Sequence, residues 1–371
     1  MGVQQVKDDF ALLEMMLADM RAAPAAYQPG NYWRNYERIF VPELRKKGLR
    51  DFRRRGNTVL STFGATDYAP LTAAANKHPM ETWHPAARKF KRLTYVLVRK
   101  IRLLSKIVGS MSSALTGASL DHVRALFCQY AACYGEKNNA MPLTAFDAST
   151  AGNPEDVFPF DGHTYTTSLL NYYLYYAYCC RYVSFDSIGT LMELGPGSGK
   201  QIEVIRKLHG QLCFYLFDVP PQLYVCERYL ATVFPGSVVS YRETRGWTEA
   251  PAPEAGKIYI FGTWKLPEVK NLRWELFWNC ASFQEMEPDL VLNYLSFVNR
   301  QTQRYVFLQE LMRGQIQAPR EGEHGVLAPT TQEHYVQGLP DFEIADLSPS
   351  PAPRLRQEKY SCTFWKKKDA K

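Results

Sequence analysis

The sequence predicts an α/β protein: a doubly wound, mainly parallel sheet behind a helical first part. Three observations carry this. A strand, a glycine turn and a helix follow one another over residues 188–208. From residue 185 onward, short apolar runs alternate with amphipathic stretches, the pattern of a sheet with crossover helices. Before residue 150 the apolar spacing is helical and no convincing strand occurs. The expected division is therefore a helical N-terminal domain or lid over 1–150 and a sheet domain over 151–371.

Taken in order, residues 4–21 place Phe10, Leu12, Leu13, Met16, Leu17 and Met20 at helical spacing. Pro29-Gly30 breaks the pattern, and Asn31 is a candidate cap for a helix carrying Trp33, Tyr36, Ile39 and Phe40. Residues 86–117 share an apolar face (Phe90, Leu93, Leu97, Ile101, Leu104, Ile107), and 119–134 form another helix. Residues 150–164 are broken by Gly, Pro and Asp, and a tyrosine-rich helix follows over 169–183. Strands are expected near 188–193, 212–218, 237–242, 258–262, 275–281, 304–310 and 358–365. Helices are expected near 199–208, 221–233 and 288–302, the last with Pro288 in its first turn. Residues 312–335 are polar and read as a long loop.

A chain of 371 residues can bury a full core, and 46% hydrophobic with 22% charged residues is ordinary for a globular protein. The net charge of +7 is concentrated in runs such as Arg45-Lys46-Lys47, Arg53-Arg54-Arg55 and Lys366-Lys367-Lys368, which read as solvated faces. They lack the aromatic interleaving of a nucleic-acid surface, so no nucleic-acid partner is expected. The eight cysteines form no C-x-x-C and sit mostly in apolar stretches, as reduced thiols of a cytoplasmic protein do. The opening MGVQQVKDDF has acids where a signal peptide needs apolar residues. Gly2 meets the first demand of myristoylation, but Val6 stands where Ser or Thr is wanted. No apolar run is long enough to span a bilayer, so no membrane partner is expected; a homo-oligomer is left open.

The chemistry centres on GTLMELGPGSGKQ, residues 189–201. Glycines in such a turn allow positive φ and close approach of a ligand, and the following helix start offers free N–H groups. A phosphate-binding P-loop is excluded, because Leu194 stands at its first glycine and Gln201 replaces its magnesium-binding hydroxyl. The dinucleotide fingerprint fails too, since the third glycine comes one residue early. What fits is [ED]-x-G-x-G-x-G, here Glu193, Gly195, Gly197 and Gly199, which is similar to motif I of class I S-adenosylmethionine-dependent methyltransferases. The next strand, LCFYLFD, ends in Asp218, 19 residues after Gly199. An acid there can hydrogen-bond ribose hydroxyls or cap the helix behind it.

Several stretches together carry a wider likeness: YQPGNYWRNY (27–36), GNP (152–154), DGHTYTTSLLNYYLYY (161–176), MELGPGSGKQIEVI (192–205), FDVPPQLYVCERYLATVFPG (217–236) and NCASFQEMEPDLVLNYLSFV (279–298). Over these the chain resembles the sugar O-methyltransferases, a class I S-adenosylmethionine family. The resemblance implies a Rossmann-like seven-stranded sheet with an antiparallel last strand, S-adenosyl-L-methionine as cofactor, and a small-molecule acceptor from secondary metabolism. A methyltransferase for nitrogen or carbon of a non-sugar metabolite, or a non-catalytic cofactor-binding homologue, stays open beside it.

Ligands of open α/β sheets lie beyond the carboxyl ends of the strands, so the candidates are Glu193, Asp218, Gln284, Glu285 and Glu310. Glu193 with Gly195, Gly197 and Gly199 is assigned to the methionine part of the cofactor, and Asp218 to its ribose. Glu285 is the first candidate for the base that takes the acceptor's proton, with a salt bridge or a helix cap before Pro288 as its structural alternative. Gln284 can orient the acceptor hydroxyl. His163, in DGHT, is the rival base or a contact to the cofactor carboxylate. No residue set has metal-ligand spacing, so no metal is expected.

Overall fold

A computed structural model describes residues 4–54, 120–352 and 360–369. The helix expected over 86–117, together with Gly2 and Arg55, lies outside the described residues.

The described front of the chain is helical. Helix α1 (Phe10–Ala22) is capped by Asp9, whose side chain accepts the Leu12 amide, and buries the expected face from Leu12 to Met20. Helix α2 (Asn31–Lys47) starts one residue earlier than expected for an Asn31 cap: Gly30 is the cap, and the Asn31 side chain is freed for other contacts. Helix α3 (Leu120–Lys137) precedes a small antiparallel hairpin, β1 (Phe158–Phe160) and β2 (His163–Tyr165), in the stretch the sequence marks only as broken. Helix α4 (Thr167–Cys179) follows. Of its residues only Tyr172 is not fully buried, because α4 is packed against both α3 and the first helix of the sheet domain.

From there the expected alternation holds. The elements are β3 (Thr190–Leu194), α5 (Lys200–Leu208), β4 (Cys213–Asp218), α6 (Gln222–Val233), β5 (Val238–Val239), the one-turn α7 (Tyr241–Thr244) and β6 (Ile258–Gly262). They continue with β7 (Trp274–Cys280), α8 (Pro288–Gln301), β8 (Thr302–Leu311), α9 (Gln332–Gly338), β9 (Phe342–Pro349) and β10 (Tyr360–Lys367). The strands form one sheet in the order β5-β6-β4-β3-β7-β8-β10-β9. Pairs from β5 to β8 are parallel, and β10 runs antiparallel to both β8 and β9. The last strand is therefore reversed, as expected.

The sheet has eight strands where seven were expected. The addition is β9, an edge strand of sequence FEIADLSP with only Phe342 fully buried, so it lacks the apolar run that marks the inner strands. By contrast β3, β4 and β6 are buried at every position, as parallel strands covered on both faces must be. The segment 237–242 shrinks to the two-residue β5, because Ser240 starts α7 with a reciprocal capping box to Glu243. Residues 312–331 form a loop, and α9 begins at its end.

The chain winds outward from β3 on one side, then crosses back to β7 on the other. The reversal point lies between β3 and β7, which is where an open α/β sheet forms its ligand crevice.

Candidate active site

The glycine turn fills that crevice. Gly195, Gly197 and Gly199 all have positive φ (+75°, +58° and +79°). The turn is tied to both neighbouring strands. Gly195 N–H donates to Phe217 O at 2.8 Å, and Asn279 Nδ2 donates to Leu194 O at 2.7 Å. A methyl group on Gly195 would stand 2.1 Å from Ser282 Oγ, and one on Gly199 would stand 2.9 Å from Leu230 Cδ1. Two of the glycines are thus required by the protein's own close packing, on top of any ligand. Gly199 is the cap of α5 and offers no side-chain oxygen to the first amides of that helix.

Asp218, at the end of β4, accepts from Gly197 N–H at 3.2 Å and Val219 N–H at 2.8 Å. The cap of α6 is Pro221, without a side-chain bond, so Asp218 does not cap that helix. Burial pushes its carboxyl up to about 7, against the pull of those two amides. Glu193, two residues before the turn, is 2% exposed, and its Oε2 has no hydrogen-bond partner. Burial and the charge of Asp218 hold its carboxyl well above the usual range.

Glu285 closes the 3₁₀ turn Phe283–Glu285 behind β7. The indole N–H of Trp33 and the hydroxyl of Tyr32, both from the first turn of α2, reach its carboxylate. Burial, with a contribution from the charge of Asp218, pushes it up to about 8. Neither structural alternative applies: the α8 cap is Glu287, and among the described residues no salt bridge holds Glu285. Glu310, at the end of β8, accepts from Gln284 N–H at 3.1 Å, while its Oε1 is buried without a partner. Burial raises it strongly, and the charge of Glu285 adds to this.

Gln284 is brought to the same edge, but its amide is already engaged. Nε2 donates to Tyr360 Oη at 3.0 Å, and Oε1 accepts from Leu311 N–H at 2.8 Å. It ties the 3₁₀ turn to β8 and β10. His163 is not brought there. Its Nδ1 lies 3.2 Å from Asp147 Oδ2, and Asp147 O accepts from Lys207 Nζ at 2.5 Å. Lys207 is in the last turn of α5, about 10 Å along the helix from the glycine turn at 1.5 Å per residue. The hairpin that carries His163 is thereby held beside the last turn of α5, away from the glycine turn and from Glu285.

A wall that the sequence did not assign faces Glu285. Tyr32, Trp33 and Tyr36 of α2 pack with one another and with His324 of the long loop, at ring separations from 5.0 to 6.0 Å. The loop is held there by Asn31, whose Nδ2 donates to Glu323 O at 2.9 Å and Gly325 O at 2.8 Å, and whose Oδ1 accepts from Gly322 N–H at 2.8 Å. Glu287 joins helix and loop from below, accepting from Asn31 N–H and Leu327 N–H. The only sequence signal for this wall was the NYWRNY stretch.

Four carboxyls, Glu193, Asp218, Glu285 and Glu310, thus stand at the ends of adjacent strands, all pushed toward their neutral forms. A ligand with a positive centre and hydroxyl donors satisfies both needs of this hollow: it offsets the crowded negative charge and supplies a donor to the orphaned Glu193 oxygen. The residues present therefore fit S-adenosylmethionine, a sulfonium with a ribose and an ammonium group.

The strand order and the reversed β10 define the class I methyltransferase fold, preceded by a helical region. No protein-family model matches the chain, and no curated protein matches it. Among solved structures it is similar to the mitomycin 7-O-methyltransferase MmcR, at 12% identity over 55% of this chain and 55% of that one, with a TM-score of 0.37. It is also similar to the magnesium protoporphyrin IX methyltransferase ChlM from Synechocystis PCC 6803 (10% identity, 48% and 69% of the two chains, TM-score 0.32). A third is an S-adenosylmethionine-dependent methyltransferase from Clostridium acetobutylicum ATCC 824 (12%, 53% and 89%, TM-score 0.34). The similarity spans about half the length of the first of these. Among the described residues no helix is long and apolar enough to cross a membrane.

Proposed function

We propose that the chain is an S-adenosylmethionine-dependent O-methyltransferase acting on a hydroxyl of a small molecule, a sugar or a glycosylated metabolite. One observation carries this: a left-handed glycine turn flanked by Glu193 and Asp218, with the Glu285 carboxyl, held by Trp33 and Tyr32, on the next strand end across the crevice. The sugar assignment rests on the sequence resemblance alone. When bound, the cofactor supplies a methyl group on a positively charged sulfur that departs neutral.

The residues of the chain do the rest. Asp218 receives the ribose hydroxyls, and Glu193 with Gly195, Gly197 and Gly199 lines the methionine part. Glu285 takes the acceptor proton on its carboxylate, oriented by the Trp33 indole and the Tyr32 hydroxyl. A carboxyl held near 8 is mostly neutral at pH 7, but positive charge in the hollow favours its ionised form. Base and cofactor charge are therefore coupled. Gln284 positions Glu285 through its ties to β8 and β10. His163 takes no part in the proton transfer. Holding acceptor and methyl in line supplies most of the acceleration.

The test is transfer of labelled methyl from S-adenosylmethionine to a library of hydroxylated metabolites and glycosides, with the product bond identified. An ether is expected. An N-methyl or C-methyl product moves the chain to a different acceptor class. Tight S-adenosylhomocysteine binding without transfer to any acceptor identifies a non-catalytic binder.

A further inference from the structure

The crevice holds more negative charge than its cofactor offsets. Glu193, Asp218, Glu285 and Glu310 stand at the ends of four adjacent strands, β3, β4, β7 and β8. Among the described residues no lysine, arginine or histidine forms a salt bridge with any of them. What acts on Glu193, Asp218 and Glu285 is burial, hydrogen bonding and the charge of Asp218, with no basic side chain among the described residues to oppose it. S-adenosylmethionine brings a sulfonium, an ammonium and a carboxylate, a single positive charge in sum. Glu285 must be ionised to take a proton, and hydroxyl donors at Asp218 favour its ionised form too. One positive charge then faces two negative ones.

Glu310 marks where a second positive charge fits. It lies on β8, beside the strand that leads into the Glu285 turn, and is 3% exposed. Its Oε2 accepts the Gln284 N–H at 3.1 Å, and the amides of Phe283 and Ser282 also favour its ionised form. Its Oε1 has no partner. The Tyr335 hydroxyl on α9 feels the charge of Glu310; it too is buried without a partner. The Tyr335 ring lies 6.1 Å from that of Phe283, in the same turn as Glu285. Glu285 itself is met by Trp33 and Tyr32, which pack with Tyr36 at ring separations of 5.0 to 5.7 Å. Aromatic faces attract cations. An ammonium has three donors and serves both unpartnered oxygens; a hydroxyl has one donor and no charge, and serves only one.

We propose that the acceptor carries a protonated amine near the hydroxyl that is methylated, and that Glu310 with the Tyr335 hydroxyl receives the ammonium. On a sugar scaffold this is an amino sugar. The proposal rests on the methyl-transfer reading above and adds the charge class of the acceptor. The ammonium gives the open Glu310 oxygen a charge-assisted hydrogen bond and brings the crevice to balance, so that Glu285 stays ionised beside it. A neutral acceptor leaves the crevice one positive charge short. An anionic one, such as a sugar acid or a sugar phosphate, leaves it at least two short. Bound as an ammonium, the amine has no lone pair to offer, so the methyl goes to the hydroxyl and the product is an ether.

The test is labelled methyl transfer at pH 7 to methyl glycosides of matched gluco and galacto scaffolds that differ only in charge: hexosaminides, hexosides and hexuronides. In the parent, kcat/KM for a hexosaminide is expected to exceed that for its hexoside by about tenfold or more, as a buried charge contact implies, with no transfer to the hexuronide. Glu310→Gln is expected to bring the hexosaminide down to the level of the hexoside while S-adenosylhomocysteine still binds by calorimetry. If Glu310→Gln does not fold, Tyr335→Phe takes its place, with a smaller fall in the same preference expected. A parent that takes the hexoside or the hexuronide as well as the hexosaminide overturns the proposal. So does a preference that survives in full in the variant, because the ammonium then sits elsewhere, and so does an N-methyl product. If the parent binds S-adenosylhomocysteine but methylates none of the glycosides, the proposal is overturned and the cofactor reading stands. If it does not bind S-adenosylhomocysteine, the methyl-transfer reading itself has failed and the proposal falls with it.

Discussion

Burial keeps Asp218 protonated to about 7, and burial with the Asp218 charge keeps Glu285 protonated to about 8. In the unfolded chain both titrate near 4. Between those values the folded protein binds more protons than the unfolded one, so its stability falls as pH rises. The melting temperature of the ligand-free protein should therefore drop between pH 5 and pH 8.5, and Asp218→Asn should flatten that drop. A melting temperature that rises across this window contradicts the assignment. Cationic cofactor acts in the opposite sense: it binds ionised carboxyls, so its affinity should rise with pH, and binding should release protons, measurable in buffers of different ionisation enthalpy. For catalysis, Glu285→Gln keeps the shape but not the basicity, and kcat should fall by ~10²–10⁴ with S-adenosylhomocysteine affinity retained. His163→Gln should stay within a few-fold of the parent. The reverse ranking in a single-turnover assay would return the base to the DGHT segment.

The loop 312–331 is held by α2 on one side and by Met286 and Glu287 on the other. Three hydrogen bonds of the Asn31 side chain, one from Asn35 to Glu323 O and one from Leu327 N–H to Glu287 fix residues 322–327. Asn31→Ala removes the three and leaves Gly325 O and Gly322 N–H unsatisfied, while Asn35 still donates to Glu323 O, and the loss costs roughly 1–3 kcal/mol. The expected result is faster proteolytic nicking between 313 and 330 and a raised acceptor KM, with cofactor affinity little changed. Intact protection of that loop in the variant would remove the clamp. At this scale the legible parts were those that repeat a local rule. Inner strands show as apolar runs, and Glu193, Asp218 and Glu285 stand out as acids at strand ends. Strand β9 was not legible because most of its residues face solvent. Tyr32 and Trp33 were not legible as neighbours of Glu285, and Arg53 was not legible as a buried residue, because their meaning comes from partners far away in sequence. Arg53 in particular looks like surface charge until the carbonyls of Ser149 and Ala151 are seen around it.

Across the whole molecule, α1 is part of the core of the sheet domain. Leu12, Leu13, Met16, Leu17 and Met20 belong to the same buried cluster as the strands. Polar contacts frame that face: Asp19 with Arg245 and the Tyr241 hydroxyl, Asp9 with Arg242, and Asp9 N–H with the Tyr224 hydroxyl. The ion pairs are partly exposed (for Asp19–Arg245, 21% and 43%), where such pairs contribute only ~0–1 kcal/mol. The apolar face should dominate. Met16→Ala should cost ~2–5 kcal/mol, whereas 1 M salt should move the melting temperature little. A large salt effect with a mild Met16→Ala penalty would reverse that order.

The position of Trp33 makes the site optically readable. An indole that donates its N–H to a carboxyl sits beside a group whose neutral form quenches its excited state and whose ionised form does not quench it in the same way. Emission from Trp33 should therefore titrate near 8 in the ligand-free protein, since that is where Glu285 changes charge. Cofactor should shift this midpoint to lower pH, and Trp33→Phe should erase it. A fluorimeter would then follow the arrival of positive charge in the crevice without any label.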